Sequence, residues 1–430
     1  MLAGRSLPIV LSTAALFATW FGSETVFGAS SEFLKGGLYA VIEDPFGAAL
    51  CLFLFGFFFA RKLYSMNLIT LGDYFRVRYG HKTELIASIF MVPSYFGYIA
   101  GQLVALGLIM NVVTGLPVWQ GIVASAAVVT VYTFIGGMWA ISITDFIQSI
   151  IIIVGLAVLA YILSVKAGGI SEVIQSVPSE NFRFFPEFNA VSIVTYLAAW
   201  SVLGLGSIPS QDIFQRVMSS GSPKIAIRSC YYAAAFYLTI ALLPLFISLC
   251  VKHLYPEMIY GDEQLTLPNM VLAHTSLPVQ ILFFGSLLSA IMSTTSSSIL
   301  APAAVLSENV IRPLMKNKPT DKHFLLLTRL SILLISLIAT IMACLKSNIY
   351  ELVGSASIFS LVSLFIPMAL GMYWKNGSAV GAIFSMISGM VTWVYFEYFP
   401  LEIPALVPAL GISLVTMIIG SLLWPINRFN

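Results

Sequence analysis

The sequence predicts an all-α membrane protein of about twelve transmembrane helices. Its core reads as two five-helix repeats of opposite orientation, with helices 1 and 6 broken. Three observations carry this. Of 430 residues, 59% are hydrophobic and 9% charged, with mean hydropathy +0.94, more apolar surface than a soluble domain of this size can bury. Apolar segments of about 20 residues, enough to cross a bilayer, recur along the whole length. Two of them, the first and sixth, are interrupted by glycine, proline and polar residues. Interruptions at corresponding places in successive sets of five spans point to an inverted repeat with its site at the midplane.

The segments lie near 8–29, 38–60, 84–114, 118–137, 140–164, 193–218, 226–251, 278–306, 324–345, 349–373, 378–399 and 405–424. Residues 1–164 then form the first repeat, 165–373 the second, and 374–430 two accessory helices. The first segment enters 22–28 without a small-residue cleavage pattern, so no signal peptide is expected. Alternation of the segments gathers 16 of the 21 basic residues on one side, including Arg5, Lys82, Arg216, Lys318 and Arg428, and leaves Lys35, Lys166, Arg183, Lys252 and Lys346 on the other. Basic residues favour the cytoplasm, which predicts a plasma or inner membrane protein with both termini cytoplasmic.

Taken in order, the first span carries Gly22, Ser23, Glu24 and Thr25 at its middle. An ionisable group at that depth usually faces a cavity, and glycine beside it favours an unwound stretch; the plainer alternative is a packing glycine. The second span opens with Glu43, Asp44 and Pro45, either an interfacial cap or part of a cavity wall. The loop 68–79 predicts a short amphipathic cytoplasmic helix whose bases meet lipid headgroups. In the fifth span Ser142, Asp145 and Gln148 share one helix face. Asp145 has no basic neighbour in sequence, so a bound cation is one way to balance it. The sixth span contains Gly204, Gly206, Ser207, Pro209, Ser210 and Gln211, and its proline removes a backbone hydrogen bond.

The eighth span holds six consecutive hydroxyl residues, 293–298, within an otherwise apolar run. Such residues serve close helix packing, but this density resembles oxygen ligands for a small hard cation. The four histidines (His81, His253, His274 and His323) lie in or near loops, and no nucleophile–base set appears, so an enzyme is not expected. Cys51, Cys230, Cys250 and Cys344 lack metal-ligand spacing. No basic block suggests nucleic acid, and no obligatory protein partner is evident.

Three stretches resemble the sodium:solute symporter family, and the resemblance covers nearly the whole chain: 136–148, 209–219, and the hydroxyl run with Ser307, Glu308 and Asn309. The opening Ala3, Gly4, Arg5 and Ser6 is similar to the approach to the family's first core helix; most members carry a further helix before it, absent here. The resemblance implies a LeuT-like fold and import of a small solute by alternating access, with Na+ as coupling ion and lipid as surroundings. It places the shared sodium site at the carbonyls of Ala18, Phe21 and Ala290 and the hydroxyls of Ser293 and Thr294. A second site, found in some members, maps to Asp145, Ser293, Ser296 and Ser297. The solute pocket is expected among Trp20, Ser23, Glu24, Thr25, Glu43, Asp44, Ser94, Tyr98, Gln102, Gly206, Ser207, Ser210 and Gln211. Choline-carrying members have an aromatic residue where Ser210 stands, and sugar-carrying members have aromatic gates near Gly206 and Ser207. Amino acids, carboxylates and zwitterions are therefore placed ahead, with choline or a sugar as the alternative. A non-transporting solute sensor is the competing class.

Overall fold

The computed structural model describes residues 2–135, 138–259, 263–315 and 320–425. Gly136 and Gly137, which open the fifth-span motif, and Lys316, Lys318 and Arg428 lie outside them. The described residues contain no strand, only one isolated bridge between Leu7 and Ser220. Nine helices among them are long and apolar enough to cross a membrane, and the bent pair Ala190–Gly206 and Gln211–Ser219 makes a tenth. Ile9–Trp20 and Val118–Phe134 are shorter apolar helices.

Both interrupted spans are broken, each for a local reason. Ile9–Trp20 ends where Phe21 leaves helical geometry (φ −79°, ψ 84°), next to Gly22, a poor helix former. The chain re-enters through a wide turn at Glu24–Gly28 and continues as Ala29–Gly36. It reverses at Gly37, whose φ of 68° suits glycine. The freed amide of Ser23 donates to Gln102 Oε1 at 3.0 Å, so the third span satisfies a group that lipid could not. In the sixth span Ala190–Gly206 and Gln211–Ser219 meet at 50° around Pro209.

The two broken spans are tied together. Leu7 N donates to Ser219 O and Gly221 N to Leu7 O, at 3.1 and 2.9 Å. Arg216 Nε donates to Ala15 O at 2.8 Å. Arg216 is only 1% exposed, so it belongs to the protein interior rather than to the solvent-facing bases with which the charge pattern grouped it.

The loop before the third span does form a helix, Leu71–Tyr79, started by a Thr70–Asp73 capping box. Its bases also make contacts within the protein. Arg78 donates to Gly371 O and Trp374 O at 2.6 and 2.9 Å, and Arg76 pairs with Asp73 at 2.9 Å. The phenols of Tyr74 and Tyr79 donate to Met368 O and Pro367 O. The helix is half plug and half strap: its buried face holds Leu71, Tyr74 and Phe75, which docking covers with protein instead of lipid.

Close helix contact depends on small residues. A Cβ on Gly97 would sit well inside van der Waals contact with the carbonyl oxygen of Leu352, whereas one on Gly411 would meet nothing within 4 Å. Gly97→Val is therefore expected to destabilise the purified protein by about 1–3 kcal/mol, the cost of overpacking. Gly411→Val leaves stability within about 0.5 kcal/mol. Thermal unfolding in detergent checks both; equal melting temperatures would refute the packing account.

Candidate functional site: an ion pocket beside a solute cavity

The hydroxyl run divides into two groups. Thr295, Ser296, Ser297 and Ser298 donate to carbonyls three or four residues back in their own helix, including Ser296 to Ser293 O at 2.9 Å and Ser297 to Ser293 O at 2.9 Å. That is ordinary back-bonding. Ser293 and Thr294 reach other helices. Thr294 Oγ1 lies 2.9 Å from Ala18 O, at the end of the first half of span one, and 3.1 Å from Ala290 O. Ala18, Phe21, Ala290 and Ser293 line one small cavity with Phe17, Gln148, Ser149 and Ile152. The five residues of the expected shared site thus come together. Carbonyl and hydroxyl oxygens without a thiolate or imidazole form a hard donor set, suited to an alkali cation rather than a transition metal.

Beside it, Ser293 Oγ donates to Asp145 Oδ1. Of the expected second set, Ser293 contacts Asp145, whereas Ser296 and Ser297 donate to the Ser293 carbonyl, one turn along the same helix. Asp145 does have a basic neighbour, one distant in sequence. Arg216 Nη2 stands 3.6 Å from Asp145 Oδ2, both side chains at most 2% exposed. Neither atom has a hydrogen-bond partner. The pair therefore balances charge without closing into a forked hydrogen bond.

A larger cavity lies where the breaks of spans one and six meet. Its wall contains Trp20, Ser94, Tyr98, Gly206, Ser207 and Ser210, all expected, and Tyr95, Leu203, Asp212, Ala356, Ser357 and Ser360, none of them expected. Ser357 and Ser360 share a face of the tenth span at three-residue spacing; Ser207 Oγ and Ser357 Oγ are 3.3 Å apart.

The remaining expected residues stand apart from this cavity. Gln102 holds the Ser23 amide. Asp44 Oδ1 accepts from Tyr237 Oη at 2.5 Å, and that hydroxyl also meets Thr25 Oγ1 at 2.6 Å and the Trp20 carbonyl at 3.4 Å. Tyr237 thus fastens the acidic end of span two to the break of span one. Glu24 Oε1 and Asp44 Oδ2 are buried without partners. Glu43 faces Gly354 of span ten, and Gln211 Oε1 accepts from Leu71 N at 2.6 Å, holding the start of the Leu71–Tyr79 helix.

Comparison with known proteins places the chain in a family. The chain is 28% identical over 389 residues to high-affinity choline transporter 1 of Drosophila melanogaster, covering 87% of this chain and 62% of that protein. It is 28% identical over 372 residues to the osmoregulated proline transporter OpuE of Bacillus subtilis, covering 81% and 74%. A substrate-bound, outward-open Na+-coupled sialic acid symporter superposes with a TM-score of 0.85 at 19% identity, covering 100% of this chain and 92% of that one; at that identity the likeness is one of fold. The sequence model of the sodium:solute symporter family matches residues 1–389. With broken first and sixth spans meeting at the cavity and a hard-oxygen pocket against the eighth, this integral membrane protein belongs to the sodium:solute symporter family, a family of transporters.

Proposed function

We propose that this protein is a sodium-coupled secondary active symporter that imports a small organic solute by alternating access. The observation that carries the reading is the Thr294 hydroxyl bridging the carbonyls of Ala18 and Ala290 at the edge of the small cavity. A sodium ion held by Ala18, Phe21, Ala290, Ser293 and Thr294 fastens span one to span eight. That completes the Trp20 wall of the solute cavity, so ion and solute favour the same state. Coupling requires such differential affinity and nothing else. A second sodium at Asp145, Ser293, Ser296 and Ser297 belongs to the proposal, with Arg216 as the resident charge that the ion must share Asp145 with. The solute is an amino acid, carboxylate or zwitterion, with choline or a sugar as the alternative class. Glu24, Thr25, Glu43, Asp44, Ser23 and Gln102 support that cavity from behind.

Residues 1–164 and 165–373 act as the two repeats that rock around this site, with 374–430 alongside and lipid around them. Both termini face the cytoplasm, as the 15-to-5 distribution of basic residues that remains once buried Arg216 is set aside supports.

Sodium-gradient uptake in proteoliposomes, over a panel of amino acids, organic acids, choline and sugars, tests the function. A solute accumulated only with inward sodium supports it; equal uptake with potassium rejects it. In that assay Ser293→Ala and Thr294→Ala are expected to raise the half-saturating sodium concentration, reflecting about 1–3 kcal/mol for a buried group left unsatisfied. Asp145→Asn is expected to lower the sodium-to-solute ratio measured by reversal potential; an unchanged ratio removes the second ion. Cysteine at position 82 is expected to resist an impermeant thiol reagent in intact cells while cysteine at 252 reacts. The opposite pattern inverts the topology.

A further inference from the structure

The solute cavity contains an acidic side chain to which the sequence drew no attention. Asp212 lies in the first turn of Gln211–Ser219, where a carboxylate suits a helix N-terminus. That position explains one of its oxygens only. Oδ1 accepts from Tyr95 Oη at 2.9 Å and from Ile213 N at 2.9 Å, and the Asp212 amide in turn donates to Tyr95 Oη at 3.0 Å. Tyr95 and the helix start therefore clamp the carboxyl group in one orientation. Among the described residues no hydrogen bond reaches Oδ2, and no Lys, Arg or His stands within 4 Å of Asp212. Asp212 is 7% exposed, and that exposure opens on the cavity it lines.

The rest of the wall suits a positive charge. Trp20, Tyr95 and Tyr98 supply aromatic rings, whose faces attract cations, and the hydroxyls of Ser94, Ser207, Ser210, Ser357 and Ser360 supply neutral polar contacts. No basic side chain lines the cavity. The nearest buried base in sequence, Arg216, is committed to Asp145 and the Ala15 carbonyl. Asp44, linked through Tyr237 to the Trp20 carbonyl, and Glu24 add two more buried carboxylates with no basic group within 4 Å among the described residues. An anionic solute here would face these carboxylates with no counter-charge, which is costly in a low-dielectric interior.

We infer that the solute carries an ammonium group, that Asp212 Oδ2 is its counter-charge, and that Asp212 determines specificity by admitting ammonium-bearing solutes and rejecting simple carboxylates and sugars. The inference rests on the symport reading and narrows its solute class. Tyr95 is a positioning residue, holding the carboxylate toward the cavity.

The test is sodium-driven uptake of choline, proline, succinate and glucose into proteoliposomes by the wild type, Asp212→Asn and Asp212→Glu, with binding of the same four compounds to detergent-purified wild type followed by thermal shift. The wild type is expected to be stabilised by and to take up choline or proline, and neither succinate nor glucose. Asp212→Asn raises KM for the accepted solute by about tenfold or more, as loss of a charge-assisted contact implies, with the half-saturating sodium concentration unchanged. Asp212→Glu recovers part of that loss. If the Asn variant does not fold, the wild-type binding panel still decides. Stabilisation or uptake with succinate or glucose overturns the inference while leaving symport intact, as does an Asn variant with unchanged KM or with only a uniform fall in maximal rate. No sodium-driven uptake of any compound, with no thermal shift, overturns the inference and counts against the symport reading as well.

Discussion

A backbone that leaves the helix inside a membrane must find partners for every polar group it releases, since lipid offers none. The chain does so at Phe21, and much of the interior is arranged around that event. Gln102 takes the Ser23 amide, Thr294 meets the Ala18 carbonyl, and Tyr237 reaches the Trp20 carbonyl. These three partners come from spans three, eight and seven. The interrupted first span is thus the point where separate helices are made to depend on one another, and an ion drawn to the same oxygens acts on all of them together.

The buried charges follow a related logic. Asp145 and Arg216 join span five to the second half of span six, and Arg216 passes the connection on to the Ala15 carbonyl. A buried pair of this kind adds little net stability but is costly to break on one side only. Its value lies in registering one element against another. Asp44, linked through Tyr237 to Thr25, does the same for span two. Neighbouring helices therefore meet the break of span one through polar contacts.

Much of this was legible in the sequence because it rests on strong local signals. Gly22 and Pro209 announce breaks whatever surrounds them, and a hydroxyl run in an apolar segment is conspicuous. The proposed ion ligands were named from the same run, helped by resemblance to the family, and the structure brings them to one cavity. What could not be read depended on distant pairing. Arg216 sits among cytoplasmic-looking bases in sequence, yet the helix it occupies turns it inward to Asp145. The bases of 68–79 suggest headgroup contact, and nothing in that stretch announces that Arg78 and two tyrosines reach carbonyls of span ten. Asp212 resembles any acidic residue opening a helix. Only the packing of Tyr95 beside it and the cavity in front give it a different meaning. Gln211 gains a contact that its motif does not announce, since its amide oxygen holds the Leu71 amide.

The central claim is that sodium fastens the break of span one to span eight. Hydrogen–deuterium exchange of the purified protein in sodium against potassium, read on peptides covering residues 17–28 and 287–300, measures that most directly. Protection in sodium on both peptides together, with peptides from 379–398 unchanged, is the result the account predicts. Exchange that is the same in both salts, or sodium protection confined to the eighth span while the break stays as open as before, would contradict it.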